Sequence, residues 1–115
     1  MDVRATARYL PISAHKMRLV CDLVRGMDAD QALTVLRFMP QKGARYLFKL
    51  LESAVANAEQ NFEMNRRDLS ISHLAANEGP SMKRVKAGAR GRYKPRVKRS
   101  THLTVVLTER EEESV

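Results

Sequence analysis

The chain carries a single cysteine, has 5% aromatic residues, and contains no long apolar run in its 115 residues. Each shortage excludes something. With Cys21 alone, no internal disulfide and no cysteine-ligated metal cluster can form. Its helical spacing among apolar neighbours marks it as a small buried hydrophobe. No apolar stretch approaches the roughly 20 residues that span a bilayer, and the N-terminus lacks the apolar core of a signal peptide. The expectation is a soluble intracellular protein with no membrane partner. The paired aromatic strand motif of RNA-recognition domains is missing as well.

Catalytic patterns are equally sparse. His15, His73 and His102 have neither cysteine partners nor a HExxH spacing, and no glycine-rich phosphate loop follows a strand. Glu52 and Glu59 share a helix face but read as solvated carboxylates. The prediction is a protein that is not an enzyme, with no cofactor and no metal.

Acidic charge is scarce once its position is considered. Lys and Arg number 21 against 13 Asp and Glu, but four of the acids are Glu109, Glu111, Glu112 and Glu113. Without residues 109 to 115 the chain has 20 basic and 9 acidic residues, a net +11. Such an excess favours polyanions, because every phosphate neutralised releases condensed counterions. Nucleic acid is the expected partner, ahead of anionic lipid. The length fits a single domain over 1 to 115, with the acidic end, 109 to 115, expected to be disordered.

Along the chain, Val3, Ala5, Ala7 and Tyr9 alternate with Asp2, Arg4, Thr6 and Arg8, which predicts a strand with the first set inward. Pro11 ends it. Ser13 is placed to cap a helix with the buried stripe Met17, Val20, Cys21 and Val24, stopped by a left-handed Gly26. Asp28 and Gln31 resemble a capping box for a short helix that turns Ala32, Leu33 and Leu36 inward before Pro40. A third helix, from about Gln41 to Gln60, buries Ala44, Leu47, Leu51, Ala54, Val55 and Ala58, with Lys42, Arg45 and Lys49 near its start. Leu69 and Ile71 open a second strand, and Thr101 to Thr108 form the last. The fold class predicted is α+β: a small antiparallel three-stranded sheet packed by three helices, with a body of about 1–78 and 100–108.

Between those strands runs a basic excursion, about 79–99. Lys83 to Arg99 hold nine positive charges and no negative one. Arg90, Arg92, Lys94, Arg96 and Lys98 all sit at even positions, while Tyr93, Val97, Leu103, Val105 and Leu107 are odd. An unbroken strand would align the cations on one face, unless Pro95 kinks it. Gly88 and Gly91 mark a turn, so the excursion is predicted to be a long protruding β-hairpin. Two limbs of about nine residues would reach roughly 30 Å. Mutual repulsion among the charges predicts an arm that orders only when bound. Tyr93 is placed to stack on an unpaired base. A minor-groove DNA bender with a basic arm is the competing reading.

Several ordered motifs then resemble one family. NEGPSMKR (Asn77 to Arg84), ARGR (Ala89 to Arg92), KRSTHLTVV (Lys98 to Val106), ISAHKMRLVCDLVRG (Ile12 to Gly26) and LLESAVANAEQN (Leu50 to Asn61) are similar to bacterial large-subunit ribosomal protein L twenty-two. The pattern is departed from at Gly88 and at Tyr93-Lys94-Pro95. The resemblance implies a cytoplasmic ribosomal component, present once per ribosome, or its organellar counterpart. It would bind large-subunit rRNA, touch neighbouring large-subunit proteins, aid assembly, and line the nascent-peptide tunnel. It further implies RNA contacts at Lys16, Arg18, Lys83, Arg84, Arg90, Arg92, Lys98 and Arg99, and a tunnel-facing tip at Gly88, Ala89, Arg90, Gly91 and Arg92. Charge and position add Arg25, Lys42, Lys86, Lys94 and Arg96 to the expected RNA-binding set.

Overall fold

The computed structural model describes residues 2–80, 82–87 and 93–109, of which 82–87 and 93–98 are described by their backbone. The elements run β1 (Asp2–Leu10), α1 (Ala14–Val24), α2 (Ala29–Arg37), α3 (Lys42–Phe62), a short 3-10 turn (Arg66–Asp68), β2 (Leu69–Glu78), β3 (Met82–Ala87), β4 (Tyr93–Lys98) and β5 (Thr101–Glu109). Strands β1, β5 and β2 form an antiparallel sheet with β5 in the centre, and β3 and β4 form a separate two-stranded ribbon. The α+β prediction, with helices on one sheet face, agrees with this architecture.

The helices form where capping and periodicity place them. Ser13 accepts the Lys16 N–H at the start of α1, and Gly26, at φ 83°, turns the chain out after its end. Met17, Val20, Cys21 and Val24 are all buried, as are Ala44, Leu47, Leu51, Ala54, Val55 and Ala58 of α3. These residues make one core with Leu69, Ile71, Leu74, Leu103, Val105 and Leu107 from the sheet. Small side chains let the layers approach: a Cβ on Gly43 would lie 3.2 Å from Val20 Cγ2, so α3 crosses α1 at close range there. The Asp28 box is only half realised. Asp28 is the N-cap of α2, but its side chain makes no cap hydrogen bond. Residues 27 and 28 are instead drawn to the sheet edge, where Met27 O accepts the Ile71 N–H at 3.1 Å and Asp28 bridges Ser70.

One expectation requires correction. Alternation places Tyr9 inward, yet it is 64% exposed, because β1 carries a bulge: Ala7 pairs with Leu103 and Leu10 with Thr101, leaving Arg8 and Tyr9 opposite His102 alone. The extra residue hands the inward position to Leu10, which packs against the core. The basic excursion and the last strand of the sheet are separate elements. Strand β4 ends at Lys98 and β5 begins at Thr101 in a different sheet. Thr101 turns into the core instead, where its hydroxyl donates to Ile12 O at 2.6 Å.

Candidate nucleic-acid interface

The ribbon β3–β4 has a continuous register from Met82 opposite Lys98 to Ala87 opposite Tyr93. Pro95 sits opposite Val85 without shifting it, so the kink expected at this proline does not occur in the pairing. Even-numbered positions pair with even-numbered ones. Arg84 therefore stands opposite Arg96 and Lys86 opposite Lys94, and strand alternation assigns these positions to one ribbon face together with Lys98. Like charges directly opposite each other destabilise a ladder, which an intervening polyanion reverses. The positions Lys83, Val85, Tyr93 and Val97 belong to the other face. The tip residues Gly88, Ala89, Arg90, Gly91 and Arg92 lie outside the described residues, as does the tail from residue 110 onward.

The ribbon is fastened to the body at a narrow root. Gly79 N–H donates to Ser100 O at 2.9 Å, and the Ser100 hydroxyl donates to Pro80 O at 2.8 Å. A Cβ at position 79 would fall 2.6 Å from Ser100 Oγ, so a larger residue there would push the hydroxyl away from its bond to Pro80 O. Beside this root, a cleft of about 250 Å³ is lined by His15 and Arg18 of α1 and by Glu78, Gly79, Arg99 and Ser100. The predicted contacts Arg18 and Arg99 are thus brought together with His15, which charge counting passes over.

Helix α1 uses its arginines in a second way. Arg18 Nε donates to Ala76 O at 3.0 Å and Arg25 Nη2 donates to Leu74 O at 2.9 Å. Both acceptors belong to β2, an outer strand whose free carbonyls need partners. Arg25 also pairs with Asp22, which offsets part of its charge. Five guanidinium N–H groups leave each arginine further donors for an external ligand. Lys16 and Lys42 are exposed. Lys42 also lies 6.0 Å from the centre of the Tyr46 ring.

A pair that sequence reasoning missed lies on the open sheet face. Tyr9 N–H donates to His102 Nδ1 at 3.1 Å, and the two rings meet edge to face with centres 4.9 Å apart. Two consecutive core-capable residues, Tyr9 and Leu10, immediately before Pro11 were the available signal that the alternation slips.

Away from this end, Arg66 is hydrogen-bonded to Asp30, which holds its guanidinium in the charged form above the usual range. Burial pushes the Cys21 thiol up to about 11. Among the described residues no group of three or more His, Cys, Asp or Glu is arranged to hold a metal, and no helix is long and apolar enough to cross a membrane.

Comparison with known proteins agrees with the motif resemblance. The family described as ribosomal protein L22p/L17e matches residues 5–108. The large ribosomal subunit protein uL22 of Finegoldia magna is 49% identical over 111 residues, covering 96% of this chain and 99% of that protein. Its counterpart in Chloroflexus aggregans is 49% identical over 110 residues, with 96% and 97% covered. That of Caldicellulosiruptor saccharolyticus is 50% identical over 107 residues, with 93% and 88% covered.

Proposed function

The chain belongs to the ribosomal protein L22p/L17e family, and from that membership we propose that it is a non-catalytic constituent of the large ribosomal subunit in the cytoplasm, binding large-subunit rRNA through its arm and its α1 face. The observation that carries the RNA reading is the β3–β4 register. It groups the positions of Arg84, Lys86, Lys94, Arg96 and Lys98 on one side of a two-stranded ribbon that is separate from the three-stranded sheet. Such a ribbon gains charge neutralisation and order together when phosphates surround it.

In this reading residues 1–78 and 100–108 act as the body, 79–99 as the arm, and 109–115 as an acidic tail, all in one domain. The body holds the arm at the Gly79–Ser100 root. Lys16, Arg18, Arg25, Lys42 and Arg99 meet RNA around it, while Lys83, Arg84, Lys86, Arg90, Arg92, Lys94, Arg96 and Lys98 meet RNA along the arm. The tip, Gly88 to Arg92, lines the nascent-peptide tunnel and touches the emerging polypeptide. Contacts with neighbouring large-subunit proteins and a part in assembly complete the proposal. Folded RNA suits such an arm because its cavities accept a narrow ribbon that reads shape and phosphates.

The test is competition at equal salt between folded large-subunit rRNA fragments and duplex DNA, with stoichiometric co-purification in large subunits after a high-salt wash as its cellular counterpart. Preference for the rRNA fragments is the expected result. Preference for the duplex would transfer the arm to a DNA-bending role.

A further inference from the structure

We propose that Tyr9 is a nucleobase-stacking residue at the root of the arm, with His102 fixing its backbone and ring and Arg8 supplying charge for an adjoining phosphate. The ligand is an unpaired nucleotide of RNA. This deepens the RNA-binding reading and rests on it.

The first observation is conformational. Tyr9 has φ 58°, the left-handed region that L side chains avoid and that glycine, asparagine or aspartate ordinarily occupies. A bulky residue there is a strain that the surroundings must hold in place, and such outliers concentrate at functional positions. The second is exposure. The ring is 64% accessible and stands apart from the hydrophobic core, so core packing does not account for an aromatic at this position. The third is fixation. His102, the single residue facing the bulge, accepts the Tyr9 N–H at Nδ1 and sets its ring perpendicular to the tyrosine. With Nδ1 accepting, the neutral imidazole carries its proton at Nε2. His102 in turn is in contact range of the arm root: a Cβ on Gly79 would lie 3.3 Å from Nε2. The ring is thus oriented by His102 and largely bare beside β5, the strand that follows the arm.

The chemistry of the occupant follows from what surrounds the ring. Arg8 is exposed beside it in the same bulge, and Arg4 is exposed farther along β1. On that strand the one carboxylate, Asp2, lies at the far end and accepts a hydrogen bond from Thr108. A preorganised aromatic face flanked by cations matches a base and its phosphate, since every base has a stackable face. An apolar peptide would leave the arginines unused.

The experiment replaces Tyr9 in the full chain. Tyr9→Gly relieves the backbone strain and removes the ring, while Tyr9→Phe keeps the ring. Tyr9→Gly is expected to melt at or above the wild-type temperature. It should nevertheless bind a folded large-subunit rRNA fragment roughly 5- to 150-fold more weakly, the range typical of removing one base stack. Its log-log salt slope should be unchanged, because no phosphate contact is removed. Tyr9→Phe should bind as wild type. A Tyr9→Trp chain gives a second readout, as the protein has no other tryptophan. Its fluorescence should be quenched by a short oligoadenylate and not by an abasic phosphodiester oligomer of equal length. Wild-type affinity in Tyr9→Gly, or equal quenching by the abasic oligomer, would overturn the stacking role while leaving RNA binding by the arm intact. Failure of the wild-type chain itself to bind the rRNA fragment would remove the RNA reading and this inference with it.

Discussion

Arg18 donates from Nε to the carbonyl oxygen of Ala76 at 3.0 Å, joining α1 to an outer strand 58 positions away in sequence. The bond ties a residue of the proposed RNA face to the integrity of the body. A charged donor on a partly buried carbonyl contributes about 1–2 kcal/mol. Arg18→Ala should therefore lower stability by about that amount in urea unfolding, and weaken RNA association as well. Arg18→Lys should recover charge but not the planar donor geometry, restoring affinity better than stability. Undiminished stability in Arg18→Ala would show that the Ala76 bond contributes nothing net.

The arm should be the least protected part of the described backbone. Strands β3 and β4 pair only with each other, whereas β5 is bonded on both sides. An isolated two-stranded ribbon is marginal in water, and like charges at Arg84 and Arg96 weaken it further. Amides of residues 82–87, 93, 94 and 96–98 are expected to exchange far faster than that of Val105 in the free protein, and to slow on adding rRNA. Protection equal to that of Val105 before RNA is added would contradict this.

Replacing Arg90 and Arg92 with Ala should flatten the salt dependence of RNA binding. Each phosphate left without its cation takes up to about 0.7 to 0.9 from the log-log slope, so the pair accounts for less than about 2. Affinities measured across a salt series provide the check. An unchanged slope would mean that these side chains face something other than phosphate, such as the tunnel interior.

Cys21 should be inert in the native protein. It is fully buried and its thiol is raised to about 11, so little thiolate exists near pH 8. Alkylation should be slow in buffer and rapid in denaturant. Because the folded value lies above the ordinary 9.0, the folded state is favoured fully below about 9, and this contribution fades as pH rises towards 11. Cys21→Ala should be less stable at neutral pH but should show a shallower loss of stability over that alkaline range. Fast native alkylation at pH 8 would contradict this shielding.

Much of this organisation was legible because it depends on local periodicity. The stripe Met17, Val20, Cys21 and Val24 follows helical spacing, and that spacing alone places it on one face of α1. Gly26 and Ser13 act through backbone conformations and short-range bonds that their residue types favour. The antiparallel pairing of the two cationic limbs was legible too, since residues 82–87 and 93–98 flank a glycine-containing segment. The notable miss was Tyr9. Strict alternation assigned it to the core, but a bulge can shift the inward position by one residue at small local cost, and only the competition with Leu10 for the same core space decides which residue enters.

The sequence by itself determined the helices, the α+β class, the cationic arm and, through its ordered motifs, the family. Those features are properties of residue type and spacing over a few turns or strands. Tertiary structure decided three further things: that β5 lies between β1 and β2, that the basic excursion leaves the sheet at Arg99–Ser100, and that Arg18 and Arg25 serve the edge of β2. Each depends on groups far apart in the chain meeting at a fixed register. Unpaired edge carbonyls and close backbone crossings exist only after the sheet has assembled, so their partners cannot be read from local pattern.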